Sequence, residues 1–246
     1  MFEQPRKAYV LMGVEPEFDC ANPQLAVGAL KQASLVVFMS AFKHSAALDY
    51  ADVMLPISPF TETSGTYVNA EGRAQSFNGV VKPRGDARPA WKVLRVLGNV
   101  LNLDGFGYSS SEEVRDEVLG KGIEFVAGLN NDLDSVRICL SQPSVSGLQR
   151  IADVPINFAD PMARRSPALQ QTADAVAPTA RMCEATLTQV GVEDNTQIRI
   201  KQGNGETVMV AKLDDGVPAG CVRVAAAHAT TAMLGDMFGS ISVERV

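Results

Sequence analysis

Seven hydrogen-bonding side chains lie within twelve consecutive residues near the end of the first quarter of the chain. They are Glu62, Thr63, Ser64, Thr66, Asn69, Glu71 and Arg73. Gly65 and Gly72 interrupt the run, and glycine suits turns that need positive φ. Such side chains can hold a polar ligand, or they can satisfy the backbone of their own turns, as turn residues usually do. We expect a hydrogen-bonded turn network here, with ligand binding as the alternative.

The sequence gives little indication of a metal-binding site or a catalytic nucleophile. The chain has 4 cysteines, which are Cys20, Cys139, Cys183 and Cys221, and no two of them form the CxxC pair that begins many zinc and iron–sulfur sites. Its 2 histidines are His44 and His228, and no GxSxG turn accompanies either. The cysteines could converge on a metal, but four independent thiols are the simpler interpretation. We therefore predict no catalytic residues and no metal ligands.

Composition narrows the class of protein. Of the 246 residues, 46% are hydrophobic and 20% are charged, and the formal net charge is −6. An acidic chain without a basic stripe is a poor nucleic-acid binder. No apolar run is long enough to span a bilayer, and the first residues lack the apolar region of a signal peptide. We expect a soluble globular chain that binds no nucleic acid and does not insert into a membrane.

The first part of the chain carries the signals of parallel strands joined by a helix. Residues 8–13 and 35–39 are continuous apolar runs, the form of strands buried on both faces. Between them, Asn22 can cap a helix and Pro23 suits its first position. Residues 8–39 therefore predict a βαβ unit, and 53–55 predict a third strand. The fold class is α/β, at the edge of a doubly wound parallel sheet.

The second part predicts a small closed β-barrel. Strand signals at 197–201, 207–213, 221–224 and 240–246 alternate with glycine turns. The intervening residues 120–181 are weakly patterned and rich in proline, and they predict an irregular linker with one short helix at 133–140. In it, Arg164 and Arg165 are interpreted as a solvated basic pair. Three parts result, which are an α/β domain at 1–119, a linker at 120–181 and a barrel domain at 182–246.

Two stretches of the chain resemble a known family. Residues 51–75, ADVMLPISPFTETSGTYVNAEGRAQ, are similar to the ADVxLP…E…GTxxNxEGRxQ stretch of the molybdopterin oxidoreductase superfamily. Residues 185–224 resemble its C-terminal double-psi β-barrel, in which an acidic-Gly-Val-Pro-x-Gly turn joins two strands. The resemblance implies that 1–119 is the C-terminal part of that family's α/β domain. It implies that 182–246 is a small double-psi β-barrel domain of the kind that binds molybdopterin dinucleotide.

Within the superfamily, residues 59–99 are most similar to the G-subunit (NuoG) family of the proton-pumping NADH:quinone oxidoreductase, respiratory complex I. This implies a C-terminal, non-catalytic scaffold that supports electron transfer from NADH to quinone. The iron–sulfur clusters would lie in an N-terminal part of the subunit outside this chain, and this chain would hold no cofactor. The implied partners are that N-terminal part and other peripheral-arm subunits, on the cytoplasmic side of the inner membrane.

An enzymatic interpretation stays open beside the scaffold. The chain could be the C-terminal part of a true molybdopterin-dependent oxidoreductase similar to formate dehydrogenase, and it would then bind molybdopterin. The resemblance points to a vestigial pocket whose candidate residues are Gly13, Ser40, Glu62, Thr63, Gly65, Asn69 and His228. Gly13 and Ser40 follow the first two strands, where such sheets bind ligands, although Gly13 may be needed only for the turn. The run 225–235 consists mostly of small residues and offers few anchors for a phosphate or guanine, which favours the scaffold.

Overall fold

The computed structural model describes residues 1–120 and 147–246. The first range contains strands β1 (Ala8–Met12), β2 (Leu35–Ser40), β3 (Val53–Pro56), β4 (Gly65–Val68) and β5 (Ala74–Phe77), and helices α1 (Pro16–Asp19), α2 (Pro23–Lys31), α3 (Ala90–Val100) and α4 (Ser111–Leu119). The second contains strands β6 (Leu148–Ile151), β7 (Ala180–Met182), β8 (Gln197–Gln202), β9 (Gly205–Leu213), β10 (Cys221–Arg223) and β11 (Phe238–Arg245), and helices α5 (Pro161–Arg164) and α6 (Glu184–Val190). The helix predicted at 133–140 lies outside the described residues.

The predicted βαβ unit is present at the start of the chain. Strands β1, β2 and β3 form a parallel sheet in that order, with Tyr9 opposite Val36 across the first pair. Helix α2 begins where the sequence predicts, because the Asn22 side chain accepts a hydrogen bond from the Leu25 N–H at 2.9 Å and Pro23 occupies the first position. The carboxyl ends of β1 and β2 therefore lie side by side.

One face of this sheet is covered, and the other is exposed along β1, although Met39 of the central strand is buried on it. Tyr9, Leu11, Val36, Phe38, Ala29, Leu30, Ala47 and Tyr50 form the core beneath it. On the opposite face, Val10 is 52% exposed and Met12 is 48% exposed. The strand order does not reverse, and parallel crossovers are right-handed as a rule, so both crossovers are expected on the same side of the sheet. The predicted burial of β1 on both faces is wrong here, and the second helical layer of a doubly wound sheet is not seen among the described residues.

Strands β4 and β5 form an antiparallel hairpin after the sheet. Tyr67 pairs with Gln75 in the ladder, and the Tyr67 and Phe77 rings stack with centroids 5.1 Å apart. A Cβ on Gly65 would lie 2.9 Å from the Phe77 ring, so the ring leaves room for glycine alone. Residues 51–77 thus contain strand β3, predicted at 53–55, followed by a turn and the β4–β5 hairpin.

The second part of the structure contains a closed six-stranded barrel with the order β10-β6-β11-β8-β9-β7. The pairs β6–β10 and β7–β9 are parallel, and the other four pairs are antiparallel. Exchanging the first three barrel strands with the last three leaves every pairing and its sense unchanged. This internal two-fold pattern is consistent with a double-psi barrel. Strands β6 and β7 lie within the range predicted as a linker, whereas the division into domains stays a prediction.

Packing in the barrel follows the alternation of its strands. Ile198 and Ile200 on β8 are fully buried, and so are Ala180 and Met182 on β7. Together with Leu148, Leu187, Val192, Met209, Ala211, Val222, Val224, Leu234 and Ile241 they form one core cluster. Gly191 ends α6 in the left-handed conformation at φ 69°, as the sequence pattern predicts for that helix.

A single arginine lies inside this apolar barrel. Arg150 on β6 is 2% exposed, and its guanidinium donates to Gln202 Oε1 at 3.1 Å and to the Asp236 carbonyl at 3.2 Å. Longer bonds reach the carbonyls of Val224, Ala225 and Gly235. Burial lowers the pKa of Arg150 to about 10, against a smaller opposing effect of the Asp236 charge. Arg150 thereby fixes the two ends of the loop between β10 and β11.

Replacing Arg150 by methionine tests this role. We expect Arg150→Met to lower the free energy of unfolding by about 3 kcal/mol, because several buried carbonyls lose their donor. Arg181→Met on barrel strand β7 is the matched control, since Arg181 is exposed and pairs with Asp214 at 3.5 Å; its cost should stay below about 1 kcal/mol. Equal losses in urea denaturation of the two variants would contradict the assignment.

Candidate functional site

The carboxyl ends of β1 and β2 hold the first two candidate residues. Gly13 has φ 65°, and its N–H donates to the Met39 carbonyl at 2.8 Å. Ser40 Oγ accepts from the Phe42 N–H at 3.1 Å. Gly13 therefore serves the turn after β1, and the Ser40 hydroxyl is used by the turn after β2.

A buried ion network lies at the same edge. Glu15 follows β1 directly, and its side chain is 1% exposed. Its Oε2 lies 3.0 Å from Arg164 Nη2, and its Oε1 lies 2.5 Å from Arg165 Nη2. Arg164 also contacts Asp19 Oδ1 at 3.0 Å, with its own side chain 9% exposed. The interpretation of Arg164 and Arg165 as a solvated pair is wrong, because both arginines neutralise a carboxylate that the fold has removed from water.

The two arginines also stack on aromatic rings beside the sheet edge. The Arg164 guanidinium lies 5.1 Å from the Phe18 ring centre, and that of Arg165 lies 4.7 Å from the Phe42 ring centre. Arg164 Nη1 also donates to the Phe158 carbonyl at 2.6 Å. In parallel α/β sheets this edge is where ligands bind. In this chain that edge is occupied by Arg164, the last residue of α5, and by Arg165, which follows it.

A second titratable cluster lies behind this edge. His44 Nε2 and the Tyr50 hydroxyl both approach Glu17 Oε2, at 3.0 and 3.3 Å. Burial raises the pKa of Glu17, but the hydrogen bonds from His44 and from the backbone outweigh it, and the pKa lies below its usual 4.5. Burial and the Glu17 charge raise the pKa of Tyr50. A carboxylate with two donors on one oxygen is well suited to hold His44 and Tyr50 in place.

Helix α2 connects this cluster to the barrel through one side chain. Gln24 Nε2 donates to the Gln202 and Met233 carbonyls at 2.8 Å each, and Gln24 Oε1 accepts from the Asn204 N–H at 3.4 Å. A cleft of about 380 Å³ runs alongside, with Glu17, Tyr50 and Lys31 on one wall and Gly205 and Met233 on the other. Gln24 is thus a bridge between the sheet and the barrel.

The turns of residues 62–73 use their side chains internally. Asn69 Oδ1 accepts from the Glu71 and Arg73 N–H groups at 3.0 and 2.9 Å. Glu62 Oε2 accepts from the Arg84 N–H at 3.0 Å, and Thr63 Oγ1 donates to the Ser64 carbonyl at 3.0 Å. Gly72 has φ 79°. The turn network expected from the sequence is present.

His228, the last candidate, lies in the loop between β10 and β11. Its Nδ1 is 2.8 Å from Thr230 Oγ1, and its ring centre is 4.8 Å from that of Phe158. Burial lowers the pKa of His228. The seven candidate residues are therefore divided among three places, namely the sheet edge, the hairpin turns and this barrel loop.

Several polar residues of the sheet edge were missed by the sequence interpretation. Glu15, Glu17 and Gln24 bracket the turn between β1 and α2, and no motif marks them. The position of Glu15 and Glu17 directly after a predicted parallel strand was the available signal, together with His44 after the second strand. Their partners could not be read from the sequence, because Arg164 lies about 150 residues further along.

Metal ligation finds no cluster in residues 1–120 and 147–246, where no three His, Cys, Asp or Glu side chains converge. The absence of a metal stays a prediction, and Cys139 lies outside the described residues. For Cys20, burial and the Asp19 and Glu17 charges raise the pKa of the thiol, so this residue is a poor nucleophile. Among the helices of the described ranges, none has the length and apolar content to cross a membrane.

Comparison with known proteins finds a family match for the first part of the chain. Residues 1–100 match the model of the molybdopterin oxidoreductase family. Two staphylococcal proteins, each named "Putative formate dehydrogenase", match over shorter ranges. The protein of Staphylococcus aureus (strain MRSA252) is 42% identical over 69 residues, which is 28% of this chain and 7% of that protein. The protein of Staphylococcus haemolyticus (strain JCSC1435) is 33% identical over 100 residues, which is 41% of this chain and 10% of that protein.

A solved structure extends the likeness over almost the whole chain. Acetylene hydratase from Pelobacter acetylenicus superposes with a TM-score of 0.61 over 98% of this chain and 44% of its own length, at 16% identity. At that identity the match describes the fold alone. Residues 1–100 are therefore similar to the molybdopterin oxidoreductase family, and the chain spans only a small part of the length of its curated relatives.

Neutralising Glu15 tests the ion network at the sheet edge. Glu15→Gln should lower the free energy of unfolding by about 3 kcal/mol, because two arginines lose their buried counter-charge. Glu3→Gln, at an exposed position, should change it by less than about 0.5 kcal/mol. Urea denaturation of both variants measures the difference. A Glu15→Gln protein as stable as the Glu3→Gln control would show that Arg164 and Arg165 do not depend on Glu15.

The lowered pKa of Glu17 predicts a pH effect of definite sign. Since the folded pKa lies below the unfolded value, Glu17 adds stability above the usual pKa of 4.5, and this contribution is lost as the pH falls through the folded pKa. The stability difference between wild type and Glu17→Gln should therefore shrink between about pH 6 and about pH 3. Chemical denaturation across that range measures it. A difference independent of pH would contradict the assignment.

Proposed function

We propose that the chain, with its molybdopterin oxidoreductase domain, is a non-catalytic scaffold of the G subunit of NADH:quinone oxidoreductase. In this proposal it forms the C-terminal part of that subunit, and the iron–sulfur clusters lie in the N-terminal part. It supports electron transfer from NADH to quinone by holding neighbouring peripheral-arm subunits in place, on the cytoplasmic side of the inner membrane. The similarity of residues 59–99 to that subunit family supports the specific assignment.

The single observation that carries the scaffold interpretation is the filled carboxyl edge of the sheet. Arg164 and Arg165 occupy this edge and are neutralised there by the buried Glu15 carboxylate. Opening the edge for a ligand would expose or separate these charges, at a cost typical of breaking a buried ion pair. An edge closed in this way suits a structural role.

Molybdopterin is the group that the family implies, and the candidate residues do not fit it. The polar side-chain atoms of Ser40, Glu62, Thr63 and Asn69 already bond to the chain's own backbone. His228 is in contact with Thr230 and Phe158. A pterin or a nucleotide phosphate would have to compete with those bonds. We therefore assign no catalytic step to these residues.

Exposed apolar side chains support a role as a protein-contact scaffold. Val96 and Val100 on α3 are 51% and 71% exposed, Val80 is 81% exposed, and Ile156 is 76% exposed. Val96 and Val100 are one helical turn apart and share one face of α3, and an exposed apolar face of this kind is suited to contact with other protein. Such cover would come from the rest of the subunit and from its neighbours in the peripheral arm.

A second function, a molybdopterin-dependent oxidoreductase similar to formate dehydrogenase, is favoured by one observation. Curated relatives carry that name, one of them at 42% identity over 69 residues. In this case the metal ligand and the acid–base groups would come from residues outside this chain. The chain's own part would be to close the cofactor pocket with its barrel.

Analysis of the intact native protein separates the two functions. We expect the purified protein to contain no stoichiometric molybdenum, tungsten or pterin, by elemental analysis and pterin fluorescence. We also expect it to copurify with NADH:quinone oxidoreductase activity. Stoichiometric molybdenum and pterin together with formate-dependent dye reduction would overturn the scaffold and support the enzyme.

A further inference from the structure

Positive charge is concentrated in the segment that runs from the β4–β5 hairpin into α3. Residues 73–95 contain 6 basic side chains and 1 acidic one, Asp86, whereas the whole chain has a formal net charge of −6. The basic residues are Arg73, Lys82, Arg84, Arg88, Lys92 and Arg95, and all except Arg95 are exposed. A local excess of positive charge on an acidic chain attracts anionic groups to this segment.

Within residues 1–120 and 147–246, none of these six cations forms an ion pair with a carboxylate. The barrel shows the opposite arrangement, because Lys201 Nζ lies 2.9 Å from Glu244 Oε2 and Arg223 Nη2 lies 3.1 Å from Asp153 Oδ2. Like charges on one loop repel each other, and an external anion relieves that repulsion. The positive charge of this segment is therefore available to a partner.

Chain geometry keeps four of the exposed cations close together. Lys82 and Arg84 are two residues apart, so their Cα atoms lie within about 7 Å of each other. A backbone hydrogen bond of 3.1 Å closes the turn that follows Arg84, and another of 2.9 Å closes the turn that ends at Lys92. The Cα atom of Arg88 therefore lies within about 11 Å of those of Arg84 and Lys92. We call Lys82, Arg84, Arg88 and Lys92 the basic cluster.

Backbone contacts hold the basic cluster in place. The Ser58 N–H donates to the Arg88 carbonyl at 2.9 Å, and the Arg84 N–H donates to Glu62 Oε2 at 3.0 Å. The Arg88 guanidinium also donates to two carbonyls of its own turn, at 3.2 and 2.7 Å. A loop that is ordered before binding loses little conformational freedom when a partner arrives.

Two exposed valines directly precede the basic cluster. Val80 is 81% exposed and Val81 is 58% exposed. Their N–H groups both donate to the Thr61 carbonyl, at 2.8 and 3.3 Å, so the backbone is held while the side chains remain in solvent. A surface that combines exposed valines with unpaired cations suits a partner that carries both carboxylates and apolar side chains.

An acidic helix beside the basic cluster limits the extent of the partner. Helix α4 carries Glu112, Glu113, Asp116 and Glu117 against one basic residue, Arg115. It lies next to the first turn of α3, since the two helices line the same cleft. A nucleic-acid duplex or an anionic membrane extends far enough to be repelled by these carboxylates. A short acidic segment of protein can contact the cluster alone.

We propose that the basic cluster, together with Val80 and Val81, docks a short acidic segment of a partner protein with apolar side chains among its carboxylates. The carboxylates pair with the four cations, and the apolar side chains cover the two valines. The inference rests on the proposed scaffold function, because it names the chemistry of one partner that the scaffold holds. Since the pairs are exposed, the association should weaken as the salt concentration rises.

Binding of an acidic peptide to the full chain tests this docking site. The probe is a fluorescein-labelled peptide of Glu-Glu-Leu repeats, and a Ser-Ser-Leu peptide of equal length is the uncharged control. We expect a saturable, salt-sensitive rise in anisotropy with the acidic peptide and at least tenfold weaker binding of the control. The unlabelled acidic peptide should also change the fluorescence of Trp91, the 1 tryptophan of the chain, because Lys92 Nζ lies 5.3 Å from the centre of its ring.

Two double variants locate the site on the surface. Arg84→Gln with Lys92→Gln should weaken binding of the acidic peptide at least tenfold, because half of the basic cluster is removed. Lys7→Gln with Arg245→Gln is the matched control, since it removes the same charge from exposed positions outside the cluster. Its affinity should stay within twofold of wild type. All four substitutions replace exposed side chains, so both proteins should keep the wild-type circular dichroism spectrum.

Three results would overturn the proposal. The first is an acidic peptide that does not bind at low salt, or that binds no more tightly than the uncharged peptide. The second is equal weakening in the two double variants, which would show that the overall charge decides binding. The third is cluster-dependent binding of phosphatidylserine vesicles or of duplex DNA that is tighter than that of the acidic peptide. Failure of the scaffold function itself is measured separately, by the molybdenum and pterin content of the native protein.

Discussion

The structure depends on one buried carboxylate at the junction of its parts. Glu15 is held by Arg164 and Arg165 in a place that water does not reach. An isolated charge there would be strongly unfavourable, so the two arginines and the aromatic rings beneath them have to be in position before the sheet edge is stable. Since β6 and β7 of the barrel flank α5 in the sequence, this ion network also ties the barrel to the sheet.

A second polar contact, from Gln24 in the first turn of α2, also joins the sheet to the barrel. Its amide reaches two barrel carbonyls, and the buried Arg150 fixes the loop that supplies one of them. Directional bonds set the relative position of two units more closely than apolar contact does, because each bond has a narrow range of angles. The apolar side chains left exposed on α3 and on the open sheet face are then free to meet other protein.

Local sequence patterns predicted most of the secondary-structure elements. They could not predict contacts between residues that are far apart in the sequence. The βαβ unit, the third strand and the last four barrel strands follow from apolar runs, caps and glycine turns. Strands β6 and β7 were missed, because each is short and its ladder partners lie tens of residues away. Burial on one face of β1 and the role of Arg164 depend on what packs against them, and a single sequence carries no signal for that.

The polar clusters of this chain are of two kinds, which differ in whether their polar groups have hydrogen-bond partners. Asn69 and Glu62, which resemble a family signature, use their side chains on their own backbone. Ser58 and Trp91 belong to no predicted pocket, and they keep buried donors without a partner in the described chain. An unsatisfied donor lowers stability, so its persistence needs a compensating interaction, whereas a satisfied turn needs none. The turns that resemble the family signature are therefore satisfied without a ligand, whereas the unpaired donors of Ser58 and Trp91 lower the stability of the chain.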